Sequence, residues 1–342
     1  MELSFRWYGP NDPITLEYIR QIPVMTGIVS ALYDVPVGEL WEFERLVQLK
    51  QQIEEAGLRF AVVEDIPVHE NIKLGRENRD ELIDIYCQNV QSIGRLDIPV
   101  LCYNFMPVFS WTRTNLALPL ADGSYALSYE ERQLADIDLS AGLPGWPHTG
   151  PERFAQIQSF RRMTEQELWE NLAYFLKRVV PVAEQSNVRL AIHPDDPPWS
   201  ISGLPRIITS EAALQRVLDI VDSPANGLTL CSGSLGANPA NDVPGMVRRF
   251  GRRGRIHFAH CRNVKITGDR TFHESAHPSG SGSLDMAEIM RAYHEIGFDG
   301  PMRPDHGRMI WGEVGQPGYG LYDRALGAMY LSGLWEGIQA RE

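Results

Sequence analysis

No apolar run in this 342-residue sequence approaches the roughly 18 consecutive residues that a membrane-spanning helix requires. Long examples such as LRFAVV from Leu58 stop far short of it. The start, MELSFRWYG, lacks a basic segment followed by an apolar stretch, so the expected placement is cytoplasmic, without a secretory leader. Basic charge is also scarce: 32 Lys and Arg face 44 Asp and Glu, a formal charge of −12, and clustered basic groups supply most of the affinity for phosphate backbones. Neither nucleic acid nor a membrane is therefore an expected partner. Cysteine is rarer still, with four residues (Cys87, Cys102, Cys231, Cys261) and no CxxC spacing, which argues against a disulfide framework and leaves free thiols or a metal ligand. Neither GxGxxG nor GxxxxGK[ST] occurs, so the usual fingerprint of a doubly wound nucleotide-binding sheet is missing.

What is present is an ordinary globular balance, 43% apolar and 22% charged, organised in a repeating order. Short apolar runs read as strands near residues 3–8, 27–33, 59–65, 98–104, 188–193, 227–231, 255–260 and 301–305. Between them lie amphipathic stretches, including 39–57, 77–94, 164–186 and 283–297, several with an acidic first turn or a Ser/Thr cap. Strands alternating with helices of this length imply parallel βαβ units, and eight of them predict a (β/α)8 TIM barrel, α/β in class, as a single domain over 1–342. One interval breaks the period: 105–163, after the fourth strand, is rich in turn formers and holds Trp111, Tyr125, Tyr129 and Trp146. A loop of that length with those aromatics is expected to be a partly ordered lid over the barrel mouth.

Active sites of such barrels are built at the carboxyl ends of the strands, so the residue ending each run carries the functional information. VRLAIH ends at His193, GLTLC at Cys231 and GPMRPD at Asp305, while RIHFAHCRNV offers both His257 and His260. Imidazole, thiolate and carboxylate together suit a borderline divalent cation such as Mn²⁺, Fe²⁺, Co²⁺ or Zn²⁺. Each residue has a plainer reading taken singly, as a satisfied polar residue, a small core residue or a helix cap. Four of them on neighbouring strands favour a mononuclear metal site. Arg303 shares strand parity with Asp305 and either binds a carboxylate or closes a rim salt bridge. Asp195 and Asp196 either orient His193, bind hydroxyls or merely solvate a proline-rich turn. For the two histidines, parity and depth disagree. If Ile256 and Phe258 face outward, His257 points inward, and His260 reaches the mouth only through a bulge or the end of the strand.

The motifs FRWYG (5–9), TGIVSALYDVPVGELW (26–41), CYNFMPVFSWTRT (102–114), AIHPDDPP (191–198), GSLGANP (233–239), HCRNV (260–264), FHESAH (272–277), RPDHGRMIWGE (303–313) and PGYGLYDRALGAMYLSGLWE (317–336) resemble, in order, those of the mannonate dehydratase family. The resemblance implies a xylose-isomerase-like barrel that removes water from D-mannonate to give 2-dehydro-3-deoxy-D-gluconate in hexuronate catabolism, with Mn²⁺ or Fe²⁺. It places metal ligands at His193, Cys231, His260 and Asp305, and proton-transfer residues at His306 and Tyr319, acid and base in either order. His257 then becomes an interior residue below the metal and a candidate second-shell partner, and His273 and His277 shape a loop. The rival reading is a ketose isomerase or epimerase, against which Cys231 weighs. A homo-oligomer, dimer or tetramer, is the base-rate expectation for a soluble enzyme.

Overall fold

The computed structural model describes residues 1–134, 136, 137, 139, 142–147 and 151–340. The eight expected strands all form: β1 (Glu2–Arg6), β2 (Gly27–Ser30), β3 (Arg59–Glu64), β4 (Val100–Tyr103), β5 (Arg189–Ile192), β6 (Asn226–Cys231), β7 (Ile256–Cys261) and β8 (Pro301–Pro304). Neighbours pair in parallel, and β1 closes on β8 through Glu2 with Pro301 and Leu3 with Met302, giving a closed barrel. Phe5, Ile28, Leu101, Leu190, Leu230 and Met302 belong to a large apolar cluster shared with the surrounding helices. A second, smaller cluster fills the barrel with Val29, Ala61, Val62, Val100, Cys102, Ala191 and Phe258. Each buried Leu- or Phe-sized side chain contributes about 1.5–3 kcal/mol, so the barrel wall is stabilised from both faces.

The helices are slightly shorter than the periodic stretches that announced them, and side-chain caps set the start of two. Thr164 closes a capping box with Glu167 before Glu165–Gln185, satisfying backbone donors that a helix start otherwise leaves bare. The stretch expected over 283–297 begins only at Met286: Asp285 caps it through Glu288 N, while Ser283 hydroxyl accepts from Ile266 N. No helix among the described residues is long and apolar enough to cross a membrane.

The long interval after β4 is largely ordered where it is described. Asn115–Pro119 and Tyr125–Glu130 form a hairpin that joins a second hairpin, Val264–Gly268 with Thr271–Glu274, into one four-stranded antiparallel sheet. The seam pairs Phe272 with Tyr129, whose rings stack at 5.8 Å. The segment expected as a lid thus shares a sheet with the loop after β7. Parts of LPGWPHTG, including His148, lie outside the described residues.

A buried ring of four charges fastens this cover to the barrel. Arg113, at the start of the cover, donates to Asp196 Oδ1 at 2.8 Å and to Glu274 Oε1 at 2.7 Å. Arg262, just past β7, donates to the same two carboxylates at 2.8 and 2.7 Å. All four side chains are buried, so each charge depends on its partners for solvation. Burial alone would lift the Glu274 carboxyl, but Arg262 and Arg113 outweigh it and hold it at about 2. A carboxyl depressed from 4.5 in the unfolded chain contributes its stability fully above that value and loses it as pH falls toward about 2. Urea unfolding of Glu274→Gln at neutral pH is expected to show a loss of about 3–5 kcal/mol, and the variant should also lose part of the acid sensitivity between pH 4.5 and 2.

Candidate active site

His193 follows β5, Cys231 ends β6, His260 lies one residue before the end of β7, and Asp305 follows β8. Their ligand atoms all lie within 4.8 Å of one another, one nitrogen, sulfur or oxygen from each side chain. His193 Nε2 is 3.1 Å from His260 Nδ1, which is 3.8 Å from Asp305 Oδ1, and Cys231 Sγ is 3.6 Å from Asp305 Oδ2. The sequence reading expected these four to converge, and the structure brings them together. Three donors point at the sulfur: Ser234 Oγ at 3.0 Å, Ser234 N at 3.4 Å and Arg262 Nη2 at 3.8 Å. Gly233 leaves the space for Arg262, since a Cβ there would collide with the guanidinium. Such donors suit the anionic sulfur that a metal ligand presents, and the donor set of two imidazoles, a thiolate and a carboxylate fits a borderline divalent cation.

His260 reaches the mouth through a bulge, one of the two routes that strand parity required. Leu228 pairs with Ile256, yet Thr229 pairs with Phe258, so the register slips by one residue and His257 is the extra one. Beyond that slip Phe258 faces the barrel interior, against the expectation that it faces outward, and His260 shares its face with their rings 4.5 Å apart. His257 instead packs over Gly227 with Nδ1 2.7 Å from Leu190 O, and makes no bond to the cluster. The place considered for it beside a metal ligand is not where the structure puts it. The carboxylate in that position is Glu64, the last residue of β3, which sits 3.6 Å from His260 Nε2.

Arg303 faces the site as its parity requires, and of its two readings the salt bridge is the one the structure displays. It pairs with Asp305, Nη2 lying 2.8 Å from Oδ1, and donates to Glu64 Oε1 at 3.1 Å, while Nη1 is buried without a partner among the described residues. Arg6 also binds Glu64, at 3.0 Å. Burial alone would lift the Asp305 carboxyl, but Arg303, followed by His306, His260 and Arg262, holds it well below the usual carboxylate range. Glu64 is lowered in the same way by Arg303 and Arg6. His306 Nε2 lies 2.7 Å from Tyr319 Oη, and its Nδ1 lies 2.7 Å from Arg262 Nη1 and 3.1 Å from Glu274 Oε1. Burial pushes His306 down, toward its neutral form, and Tyr319 up to about 12. Arg6, Glu64, His193, Arg303, Asp305, His306 and Tyr319 line one cavity of about 220 Å³, together with Trp111 and Trp146 from the long interval after β4.

Several of these residues escape a reading of the sequence. Asp195 and Asp196 are not solvated: Asp195 accepts from Ile208 N at 2.7 Å, and Asp196 belongs to the charge ring. His273 and His277 drew attention in FHESAH, yet the buried Glu274 between them makes the contacts that matter. No spacing signals Glu274 or Arg113. Glu64 did carry a signal, because it ends an apolar strand just as Cys231 does.

A family model described as D-mannonate dehydratase matches residues 1–342. The chain is 54% identical over 345 residues to a mannonate dehydratase 2 from Halalkalibacterium halodurans, covering 99% of this chain and 100% of that one. It is 53% identical over 352 residues to a mannonate dehydratase from Thermotoga maritima, covering 99% and 98%. The crystal structure of a mannonate dehydratase from Streptococcus suis superposes with a TM-score of 0.95 at 49% identity, covering 100% of this chain and 96% of that one. A xylose isomerase-like TIM barrel from Mycobacterium smegmatis shares the fold alone, at a TM-score of 0.57 and 14% identity. With the whole chain matched by the family model and more than half its residues identical to such relatives, this chain belongs to the D-mannonate dehydratase family.

Proposed function

We propose that this chain is a hydro-lyase that removes water from D-mannonate to give 2-dehydro-3-deoxy-D-gluconate, serving hexuronate catabolism. The observation that carries the reading is that one cavity is lined both by His193 and Asp305 of the four-donor cluster and by the hydrogen-bonded pair His306 and Tyr319. His193, Cys231, His260 and Asp305 would hold Mn²⁺ or Fe²⁺. When bound, that cation supplies Lewis-acid stabilisation of the negative charge that develops beside the substrate carboxylate.

The chain's own residues account for the remaining needs of the reaction. Arg303 Nη1, buried and unpartnered among the described residues, offers a donor to the sugar-acid carboxylate. His306 and Tyr319 are joined by one short hydrogen bond. One takes the proton from the carbon next to the carboxylate, and the other protonates the neighbouring hydroxyl as it leaves. The proton removed and the proton delivered balance, so a pair connected in this way returns to its starting state. Trp111, whose ring centroid is 5.6 Å from that of His306, shields the pair from bulk water.

Protein loaded with Mn²⁺ is expected to convert D-mannonate into a 2-keto-3-deoxy acid, detected by a colorimetric assay for that product, and EDTA or Cys231→Ala should abolish the signal. Epimerisation of a ketose without that product would overturn the reading. Tyr319→Phe or His306→Gln should lower kcat by about 10²–10⁴-fold with a much smaller change in KM, read from steady-state kinetics.

A further inference from the structure

The His260 ring stands between two environments. Its Nδ1 faces the donor cluster, 3.1 Å from His193 Nε2. Its Nε2 faces Arg303 Nε at 3.1 Å and Glu64 Oε2 at 3.6 Å. A guanidinium donates and cannot accept, so Nε2 presents its lone pair to Arg303 and the single proton of the neutral ring sits on Nδ1. That proton points at His193 Nε2, and His193 donates its own Nδ1–H to Pro194 O at 2.6 Å. The hydrogen bonds therefore run one way, from Arg303 through His260 and His193 to a backbone carbonyl.

A cation held by His193 Nε2 and His260 Nδ1 requires the lone pairs of both atoms. His193 already offers its own, because its proton lies on the Pro194 side. For His260 the proton has to move to Nε2, where it would meet the Arg303 Nε–H, donor against donor. One buried acceptor stands beside that nitrogen: Glu64 Oε2 has no hydrogen-bond partner among the described residues, although Oε1 is bound by both Arg6 and Arg303. Glu64 ends a barrel strand, is 6% exposed and is flanked by two cations that keep it ionised.

We infer that Glu64 is the positioning residue of the metal centre: it accepts Nε2–H from His260 when a cation occupies Nδ1, fixing the tautomer in which that ring is a ligand. Metal-binding imidazoles are commonly held in this way by a carboxylate on the far nitrogen, and loss of such a partner typically costs about 10–100-fold in affinity. Arg303 Nε then has to leave the ring, so binding the cation frees this guanidinium, which lines the cavity and already carries an unpartnered Nη1. The inference rests on the proposed role of His260 as a ligand.

Two readouts test it without relying on turnover. Protein labelled with ¹⁵N at histidine, titrated with diamagnetic Zn²⁺, should show the His260 proton moving from Nδ1 to Nε2, a measurement that needs no substitution at Glu64. A proton that stays on Nδ1 while Zn²⁺ binds means that His260 is not a ligand, which overturns the proposed metal centre and the inference with it. In parallel, Mn²⁺ dissociation constants from isothermal titration should rise about 10–100-fold in Glu64→Gln, which keeps the shape of the side chain and removes its charge. If Cys231→Ala loses Mn²⁺ while a folded Glu64→Gln binds it as tightly as the parent chain, the inference fails and the metal centre stands. If the parent chain itself binds no Mn²⁺, or Cys231→Ala binds it equally well, the proposed metal centre is what fails.

Discussion

A carboxylate taken out of water without a partner costs several kcal/mol, and the mouth of this barrel buries several of them, among them Glu64, Asp196, Glu274 and Asp305. Each is matched by guanidinium groups. Arg6 and Arg303 hold Glu64, Arg113 and Arg262 hold Asp196 and Glu274, and Arg303 and Arg262 reach Asp305. This compensation keeps anionic ligands ionised in a nearly dry site, which a cation centre requires. It also explains why the cover is ordered where it crosses the mouth, because Arg113 on the cover completes a charge ring whose other members stand on the barrel's own loops.

The same pairing links structure to chemistry at His306. Arg262 is at once a partner of Asp196 and Glu274, a donor to Cys231 Sγ and a neighbour of His306 Nδ1. A single side chain therefore touches the Cys231 sulfur, the His306 imidazole and the charge ring that includes Arg113. Arg303 plays a similar part on the other side, between Asp305, Glu64 and His260.

The barrel was legible in the sequence because each strand is a short apolar run and each helix keeps its own period, so every strand appears close to where expected. The four clustered donors were legible for a related reason: parallel strands place their last residues at one end, and rare residue types there stand out. What escaped was set by contacts between distant segments. Glu274 and Arg113 are 161 positions apart and have meaning only together. The inward facing of Phe258 depended on a one-residue slip between β6 and β7, which alternation within a single strand does not reveal, whereas the same slip supplies the bulge that His260 required. His257 looked equivalent to His260 by residue type, and its depth at the base of the strand and the family resemblance set it apart.

The central claim is that His193, Cys231, His260 and Asp305 form one cation centre at the barrel mouth. The most direct measurement is an anomalous-difference map from a crystal grown with Mn²⁺. The account predicts a single strong peak within about 2.0–2.3 Å of His193 Nε2, His260 Nδ1, Cys231 Sγ and an Asp305 oxygen. A peak elsewhere, or one that leaves out Cys231 and His260, would contradict it.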